Sequence, residues 1–314
     1  MINVPLARDG LILARDLREV GEEAYIKKAL ATGEWLRVRR GAFVLSDQWK
    51  TYSWQQRFRT VVVAAALIAP EPPLLSHLSA AVIWGLPIVG ARMDTVHTIV
   101  PRTSGGRSTP GVHRHTAQDV PDEVMIDGFR VTTLERTVLD VARTESTITA
   151  VCVADRALFV PKHGGALTTL EGLREQMDPL RRLSGVRAAE RVLDFSTTLV
   201  GWPGESVSRV QLRRLRVPDP VLQQPYVLLD GREVTPDFSW PGYRHLGEFD
   251  GYIKYQKPEY MNGRTASEVV VEEKRREDGL RALGNGMTRW VWSEVWDIRK
   301  FESVLRLAPL PRGR

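Results

Sequence analysis

Residues 236–255, PDFSWPGYRHLGEFDGYIKY, constrain the fold more than any other stretch of this chain. They predict two short antiparallel strands around a proline–glycine turn. If the turn centres on Gly242–Tyr243, Asp237 lies directly opposite Glu248, and directly opposite residues of an antiparallel pair point to the same face. Asp250 shares that face because strand side chains alternate with a period of two. A turn centred one residue earlier would shift this pairing. Carboxylates this close repel one another unless a cation or a proton lies among them.

The predicted carboxylate cluster suits a hard divalent cation such as Mg²⁺, which accepts a few carboxylate oxygens and keeps water molecules for chemistry. Glu205 opens a helix just before the sheet and is predicted to join the cluster. Lys254 lies on the same face if the strand continues, and would orient the metal-bound water. The predicted metal ligands are therefore Glu205, Asp237, Glu248 and Asp250, and the predicted catalytic residues are Asp237, Glu248 and Lys254. The alternative is an acidic, solvent-facing strand edge paired with an arginine-rich helix.

That arginine-rich helix is predicted over residues 268–283, EVVVEEKRREDGLRAL. If it packs over the sheet, Lys274, Arg275 and Arg276 project near the metal face and contact DNA phosphates. The alternative is surface pairing between charges four residues apart, Glu272 with Arg276 and Lys274 with Asp278. Both can hold, since the run of charges is long.

The first 50 residues show the order helix, turn, helix, hairpin. Residues 11–20 and 22–32 have helical spacing of apolar side chains, and residues 34–45, EWLRVRRGAFVL, alternate as a hairpin with a basic turn. This is the order of a winged helix-turn-helix, in which a helix enters the major groove and the hairpin contacts phosphate. An ordinary solvated hairpin is the alternative. The predicted DNA-binding residues of this region are Lys27, Lys28, Arg37, Arg39 and Arg40.

The charge of the chain favours a polyanionic partner. The formal net charge is +6 at pH 7 and the pI is near 9.6, which predicts double-stranded DNA first and an acidic protein next. The start of the chain lacks the pattern of a signal peptide, and the longest apolar stretch, residues 61–69, is too short to cross a bilayer. We therefore expect a cytoplasmic protein with no membrane partner.

Cysteine and histidine give little sign of a metal or redox site. The single cysteine, Cys152, excludes an intrachain disulfide, and its apolar helical context predicts burial. His113 and His115 alternate on a predicted strand. With no cysteine and no third ligand nearby, they do not predict a zinc site.

Three separated motifs carry a resemblance over residues 1–200. In chain order they are ALATGEWLRVRRGAFVL, SHLSAAVIWGLP and DGFRVTTLERTVLDVAR. This part of the chain resembles actinobacterial AbiEi-type proteins, the antitoxins of a two-gene toxin–antitoxin and phage-defence system. The resemblance implies a winged helix followed by a larger helical and β domain, repression of the protein's own promoter at inverted repeats, and a nucleotidyltransferase-like toxin as partner.

The C-terminal third resembles the PD-(D/E)XK nuclease superfamily, in particular its very-short-patch-repair-like (Vsr-like) branch. This resemblance makes Glu205 the acid of the helix, Asp237 the aspartate of the motif and Glu248 the acid that follows. Asp250 stands where the motif has a lysine, which the Vsr-like branch also lacks. A lysine elsewhere in the chain, Lys254 or Lys274, would substitute for it.

Together these patterns predict an α+β multidomain protein. The expected domains are a winged helix-turn-helix over residues 1–50, a mixed α/β domain over 51–200 and a restriction-endonuclease-like α/β domain over 201–314. The first functional hypothesis is an antitoxin-type transcriptional autorepressor that binds DNA as a homodimer or as paired copies on repeats. The second is an Mg²⁺-dependent DNA endonuclease aimed by the winged helix, and the third is an interaction protein that only docks a toxin.

Overall fold

The computed structural model describes residues 6–104, 107–251 and 266–311. The chain is an α+β protein with several sheets, some antiparallel and some mixed. It divides into two compact units, residues 1–157 with 167–195 and residues 158–166 with 196–314. The first two predicted domains thus fall mainly within one compact unit. Over the residues described, no helix combines the length and apolar character needed to cross a membrane.

The first unit begins with a helix pair and a small antiparallel sheet. Its elements are β1 (Ile12–Leu13), α1 (Ala14–Glu19), α2 (Tyr25–Ala31), β2 (Trp35–Arg39) and β3 (Ala42–Leu45). The strand order is β1-β3-β2. The prediction of one helix over residues 11–20 is wrong at its start, because Ile12 pairs with Phe43 as a strand. Ile12, Leu17, Trp35 and Phe43 are buried in one cluster that holds the helices on the sheet.

A five-stranded mixed sheet and its helices complete the first unit. The elements before and within the sheet are α3 (Ser46–Thr51), α4 (Trp54–Ile68), β4 (Leu74–Leu75), α5 (His77–Ile83), β5 (Val96–Pro101), β6 (Val112–Ala117), β7 (Glu123–Ile126) and β8 (Phe129–Thr132). The strand order is β6-β5-β4-β8-β7, and β5 runs parallel to β6. The helices that follow are α6 (Leu134–Thr144), α7 (Thr147–Leu158), α8 (Leu170–Glu175) and α9 (Val186–Phe195). Every residue of α5 is buried, and Cys152 on α7 is buried as predicted.

The second unit is built on a four-stranded sheet. Its elements are α10 (Pro203–Arg214), β9 (Val221–Leu222), β10 (Tyr226–Val227), β11 (Glu233–Val234), β12 (Phe238–Trp240), β13 (His245–Asp250), α11 (Ala266–Ala282), β14 (Gly286–Val291), α12 (Trp292–Val295) and α13 (Ile298–Leu305). The strand order is β14-β13-β12-β9, with β13 parallel to β14 and the other neighbours antiparallel. Strands β10 and β11 form a separate two-stranded ribbon.

Aromatic side chains cover one face of the four-stranded sheet. Phe238 and Trp290 are fully buried, with their ring centroids 5.3 Å apart. Gly247 lies beneath them, and a Cβ at this position would lie 2.5 Å from the Trp290 ring. Because side chains alternate along β13, Glu248 points to the opposite face. The acidic side chains of β13 therefore lie on the face of the sheet opposite the aromatic core.

Candidate functional site

The pairing of Asp237 with Glu248 follows the register that the sequence predicts. Phe238 lies opposite Gly247, so Asp237, which directly precedes β12, lies opposite Glu248. The backbone N–H of Phe249 donates a 2.9 Å hydrogen bond to Asp237 Oδ2. This bond holds the Asp237 carboxylate against β13, beside Glu248.

Gln223 links Asp237 to the third predicted acid, Glu205. Gln223 directly follows β9, and its φ of 49° is uncommon for a residue other than glycine. Its side-chain Nε2 lies 3.5 Å from Glu205 Oε2 and 3.5 Å from Asp237 Oδ1. Glu205 is buried in the first turn of α10, where the helix dipole favours a negative charge. Sequence reasoning missed Gln223, because its place depends on the pairing of β9 with β12.

Glu248 is the most buried acid of the cluster, with 3% of its surface exposed. Burial raises its pKa, and the negative charges of Asp237 and Glu273 raise it further, while Arg276 and Arg289 act in the opposite direction. Arg276 Nη1 lies 2.5 Å from Glu248 Oε1, without the alignment of a hydrogen bond, and Arg289 Nη2 lies 3.3 Å from Oε2. Glu248 therefore lies between a second acid and two guanidinium groups.

Asp250, a predicted metal ligand, pairs with Arg289 in this structure. Its two oxygens accept hydrogen bonds of 2.7 and 2.8 Å from Arg289. Arg289 also lies 3.2 Å from Glu277 Oε2 and 3.3 Å from Glu273 Oε2. Because β13 and β14 are parallel, Arg289 lies directly opposite Glu248 and on the same face as Asp250. This is a bidentate arginine–carboxylate pair, which is strong and fixes the relative orientation of the two groups.

The charged run of α11 divides between the cluster and solvent. Arg276 contacts Glu248 and donates a 2.8 Å hydrogen bond to the carbonyl oxygen of Thr235. Lys274 and Arg275, both predicted to bind DNA, are exposed. The predicted catalytic Lys254 lies outside the described residues.

The donor set of this cluster fits Mg²⁺ in part. Glu205, Asp237 and Glu248 supply hard oxygen ligands within one region of the second unit. Both oxygens of Asp250 bind Arg289, and each oxygen of Glu248 lies close to a guanidinium group. A divalent cation at either carboxylate would therefore compete with an arginine.

The predicted DNA-binding residues of the first unit also divide into two groups. Lys27 and Lys28 on α2, and Arg37 and Arg40 on the β2–β3 hairpin, are exposed. Arg39 is partly buried and donates a 3.1 Å hydrogen bond to the carbonyl oxygen of Gly111, the residue before β6. Burial lowers the pKa of Arg39. Arg39 therefore attaches the hairpin to the rest of the unit.

A histidine cluster in the first unit was not predicted. His97 lies opposite His113 across the parallel strands β5 and β6. The ring nitrogens of His97, His113 and His115 all lie within 4.8 Å of one another, and among the described residues this is the one group of three potential metal ligands that does so. The expectation that His113 and His115 lack a third ligand is therefore wrong, because β5 supplies it from 18 residues earlier than His115.

The described residues thus offer an acidic site in the second unit, and a basic surface and a histidine cluster in the first. The acidic site and the basic surface are the two that bear on the predicted functions. No protein-family model matches the chain, and no curated protein matches it at a significant level.

Proposed function

We propose that this protein binds double-stranded DNA through a winged helix-turn-helix within residues 1–50 and acts as an antitoxin-type transcriptional autorepressor. One observation carries the proposal: the helix pair α1–α2 is combined with a sheet of order β1-β3-β2, and basic side chains on α2 and the hairpin are exposed. In a winged helix of this order, a helix enters the DNA major groove and the hairpin contacts phosphate.

The exposed charges give the proposal its physical basis. Lys27 and Lys28 would contact phosphates beside the groove, and Arg37 and Arg40 would do so from the hairpin. Arg39 would act indirectly, by fixing the hairpin through Gly111. Each phosphate that is neutralised releases counterions from the duplex, so affinity should fall steeply with salt.

The autorepressor form of the proposal adds two partners. An inverted repeat is bound by two copies of a protein whose half-sites are about one helical turn apart, so a homodimer or paired monomers would occupy the promoter. A nucleotidyltransferase-like toxin encoded beside this protein would be the second partner. If a gene of that kind were found beside the gene for this protein, it would support an antitoxin over a stand-alone regulator.

The test of DNA binding is charge reversal at the hairpin. We expect Arg37→Glu with Arg40→Glu to weaken binding to the DNA upstream of the protein's own gene by about tenfold or more, and to make the dependence of log K on log salt about two units less steep. Fluorescence anisotropy with a labelled duplex between 50 and 200 mM salt, roughly the range over which phosphate contacts lose most affinity, measures both quantities.

The matched control is Arg182→Glu with Arg187→Glu. Both arginines are exposed in the first unit, away from the hairpin in sequence, and the net charge changes by the same amount. We expect this variant to keep most of the wild-type affinity. Equal affinities for the hairpin variant, the control and the wild type would contradict the proposal.

A second candidate function is an Mg²⁺-dependent DNA endonuclease. The observation that favours it is that Gln223 links Glu205 to Asp237 and that Asp237 lies beside Glu248. The core of this unit runs helix, three sheet strands, helix, strand. Glu205, Asp237 and Glu248 would hold Mg²⁺, and a bound Mg²⁺ supplies a water of lowered pKa and polarises a phosphoryl oxygen.

In this candidate the basic residues of the second unit have separate tasks. Arg276 and Arg289 hold the carboxyl of Glu248 in place from one side. Lys274 and Arg275, exposed on α11, would bind phosphates of the DNA backbone. Asp250 would position Arg289 rather than bind metal.

Plasmid cleavage tests the endonuclease. We expect the protein to nick or linearise supercoiled plasmid with Mg²⁺ or Mn²⁺, and Asp237→Asn to reduce this by at least about 100-fold, as expected for loss of a metal ligand. Asp230→Asn, an exposed acid of the same unit that pairs with Arg232, is the matched control and should cleave like the wild type. Plasmid left intact by the wild type with both metals would exclude the endonuclease and leave the DNA-binding proposal standing.

A further inference from the structure

Three histidines of the first unit, His97, His113 and His115, lie on the two strands at one edge of the five-stranded sheet. Strands β5 and β6 are parallel neighbours with His97 opposite His113. His115 follows His113 by two residues, so the two side chains share a face of β6. Parallel pairing therefore brings His97 close to two imidazoles that follow it by up to 18 residues.

The three rings are arranged closely enough to share one ion. His97 Nδ1 lies 2.9 Å from His115 Nε2, and ring nitrogens of all three residues lie within 4.8 Å of one another. The rings of His113 and His115 are stacked, with centroids 4.2 Å apart and planes 4° apart. A tetrahedral Zn²⁺ holds imidazole nitrogens at about 2.0–2.1 Å, which puts two ligand nitrogens roughly 3.4 Å apart. Imidazole lone pairs lie in the plane of the ring, so binding one ion requires the stacked rings of His113 and His115 to tilt away from their parallel arrangement.

A fourth histidine forms the inner wall of the cluster. The ring of His77 stacks on His115 with centroids 3.7 Å apart, and 2% of His77 is exposed. Its Nδ1 lies 3.0 Å from Ser76 Oγ, and its Nε2 is buried with no hydrogen-bond partner among the described residues. A buried polar nitrogen without a partner is costly and calls for an explanation such as an ion or a water molecule beside it.

The cluster opens on a cavity of about 450 Å³. His97 and His113 line this cavity together with Glu145 and with Asp94, which pairs with Arg92 at 2.8 Å on the same wall. Burial raises the pKa of Glu145. The cavity gives an ion a path to the histidines and leaves room for a water molecule or a small anion as a further ligand.

We propose that His97, His113 and His115 form a three-histidine site for a divalent transition metal, Zn²⁺ in the first instance, with an open coordination position facing the Asp94–Glu145 cavity. Three protein ligands plus an open position is the pattern of reactive rather than closed structural zinc sites. This site lies in the first unit and is separate from the carboxylate cluster, so it does not depend on the endonuclease candidate.

Metal titration of the tag-free, full-length protein tests the proposal. After treatment with EDTA and removal of the chelator, we expect the protein to bind one Zn²⁺ per chain in competition with a chromophoric chelator. Co²⁺ in place of Zn²⁺ should give the visible absorption of a four- or five-coordinate nitrogen-ligated site. His97→Asn and His113→Asn should each weaken Zn²⁺ binding at least 100-fold.

His163→Asn is the control, because His163 is an exposed histidine outside the cluster. It should bind Zn²⁺ as the wild type does. His113 is itself exposed, so His113→Asn should fold normally, which far-UV circular dichroism checks. Absence of stoichiometric Zn²⁺ binding by the wild type, or unchanged binding in both His97→Asn and His113→Asn, would overturn the site and leave a stack of histidines that stabilises the sheet edge.

Discussion

At the scale of single residues, Glu248 and Glu277 show how burial decides the net pKa shift of two acids whose pKa values are both lowered by neighbouring arginines. Burial of Glu248 outweighs the attraction of Arg276 and Arg289, so its pKa is raised above the usual 4.5. Burial also opposes ionisation of Glu277, but hydrogen bonds from Arg281 and Arg289 outweigh it and lower its pKa. Exposure explains the difference, since the side chain of Glu277 is 25% exposed and that of Glu248 only 4%.

These opposite shifts predict opposite pH dependence of stability. A raised folded-state pKa contributes stability that is present at low pH and lost as the pH rises above 4.5. The stability of the wild type relative to Glu248→Gln should therefore increase as the pH falls from 7.5 towards 4.5. A lowered pKa contributes stability that is present above 4.5 and lost below it, so the wild type should lose its advantage over Glu277→Gln as the pH falls through 4.5.

Chemical denaturation between pH 3.5 and 7.5 measures both differences. The two substitutions lie in the same unit and remove one negative charge each, so each serves as the control for the other. Differences that change in the same direction with pH would contradict this account of the cluster.

At the scale of elements, the two faces of β13 make different contacts, apolar packing on one and ion pairs on the other. Gly247 and Phe249 face the aromatic core, and Glu248 and Asp250 face the arginines. A change on the aromatic face therefore acts on the position of the carboxylates through the strand itself. Gly247 leaves no room for a side chain on the aromatic face, because a Cβ there would lie 2.5 Å from Trp290 and 3.0 Å from Trp240.

Gly247→Ala should destabilise the second unit by about 1–3 kcal/mol, the usual cost of an extra methyl group in a packed core. Gly242→Ala, five residues earlier in the turn, adds its Cβ to open space at a backbone conformation that any residue adopts, and should change stability by less than about 0.5 kcal/mol. Urea denaturation at pH 7 compares the two. Equal stabilities for both variants would show that the aromatic layer adapts to the methyl group.

At the scale of the whole molecule, the candidate functions belong to different units. The basic surface and the histidine cluster lie in the first unit, and the carboxylate cluster lies in the second. Each unit has its own cluster of buried apolar side chains. In the first unit it includes Ile12 and Trp35 on β1 and β2, and in the second it includes Leu246 on β13 and Leu280 on α11. Substitutions that impair one site should therefore leave the fold of the other unit intact.

The division of the chain is less simple than its sequence indicates. The composition changes at Gly201, where α10 is about to begin, but the second unit also contains residues 158–166. In the chain, that segment precedes two helices of the first unit. Its Val160 nevertheless donates a backbone hydrogen bond to the carbonyl oxygen of Thr198, which also belongs to the second unit. Composition along the chain cannot reveal that residues 158–166 belong to the second unit, because that assignment depends on contacts between segments distant in sequence.

The sequence by itself determined the local geometry of this protein. Alternation and a short turn centred on Gly242–Tyr243 predicted that Asp237 lies opposite Glu248, since both act within the 12 residues from 237 to 248. Helical and hairpin periodicity were likewise enough to predict that Lys27, Lys28, Arg37 and Arg40 are exposed. Both patterns follow from backbone hydrogen bonding between near neighbours.

Only the tertiary structure decided what surrounds those residues. Arg289 meets Asp250 from 39 residues away, and His97 meets His115 from 18, each across a pair of parallel strands. Gln223 reaches the acids through the pairing of β9 with β12. Parallel strands are joined by long connections whose register no local pattern encodes, so packing of the whole chain determined which charges and ring nitrogens came together.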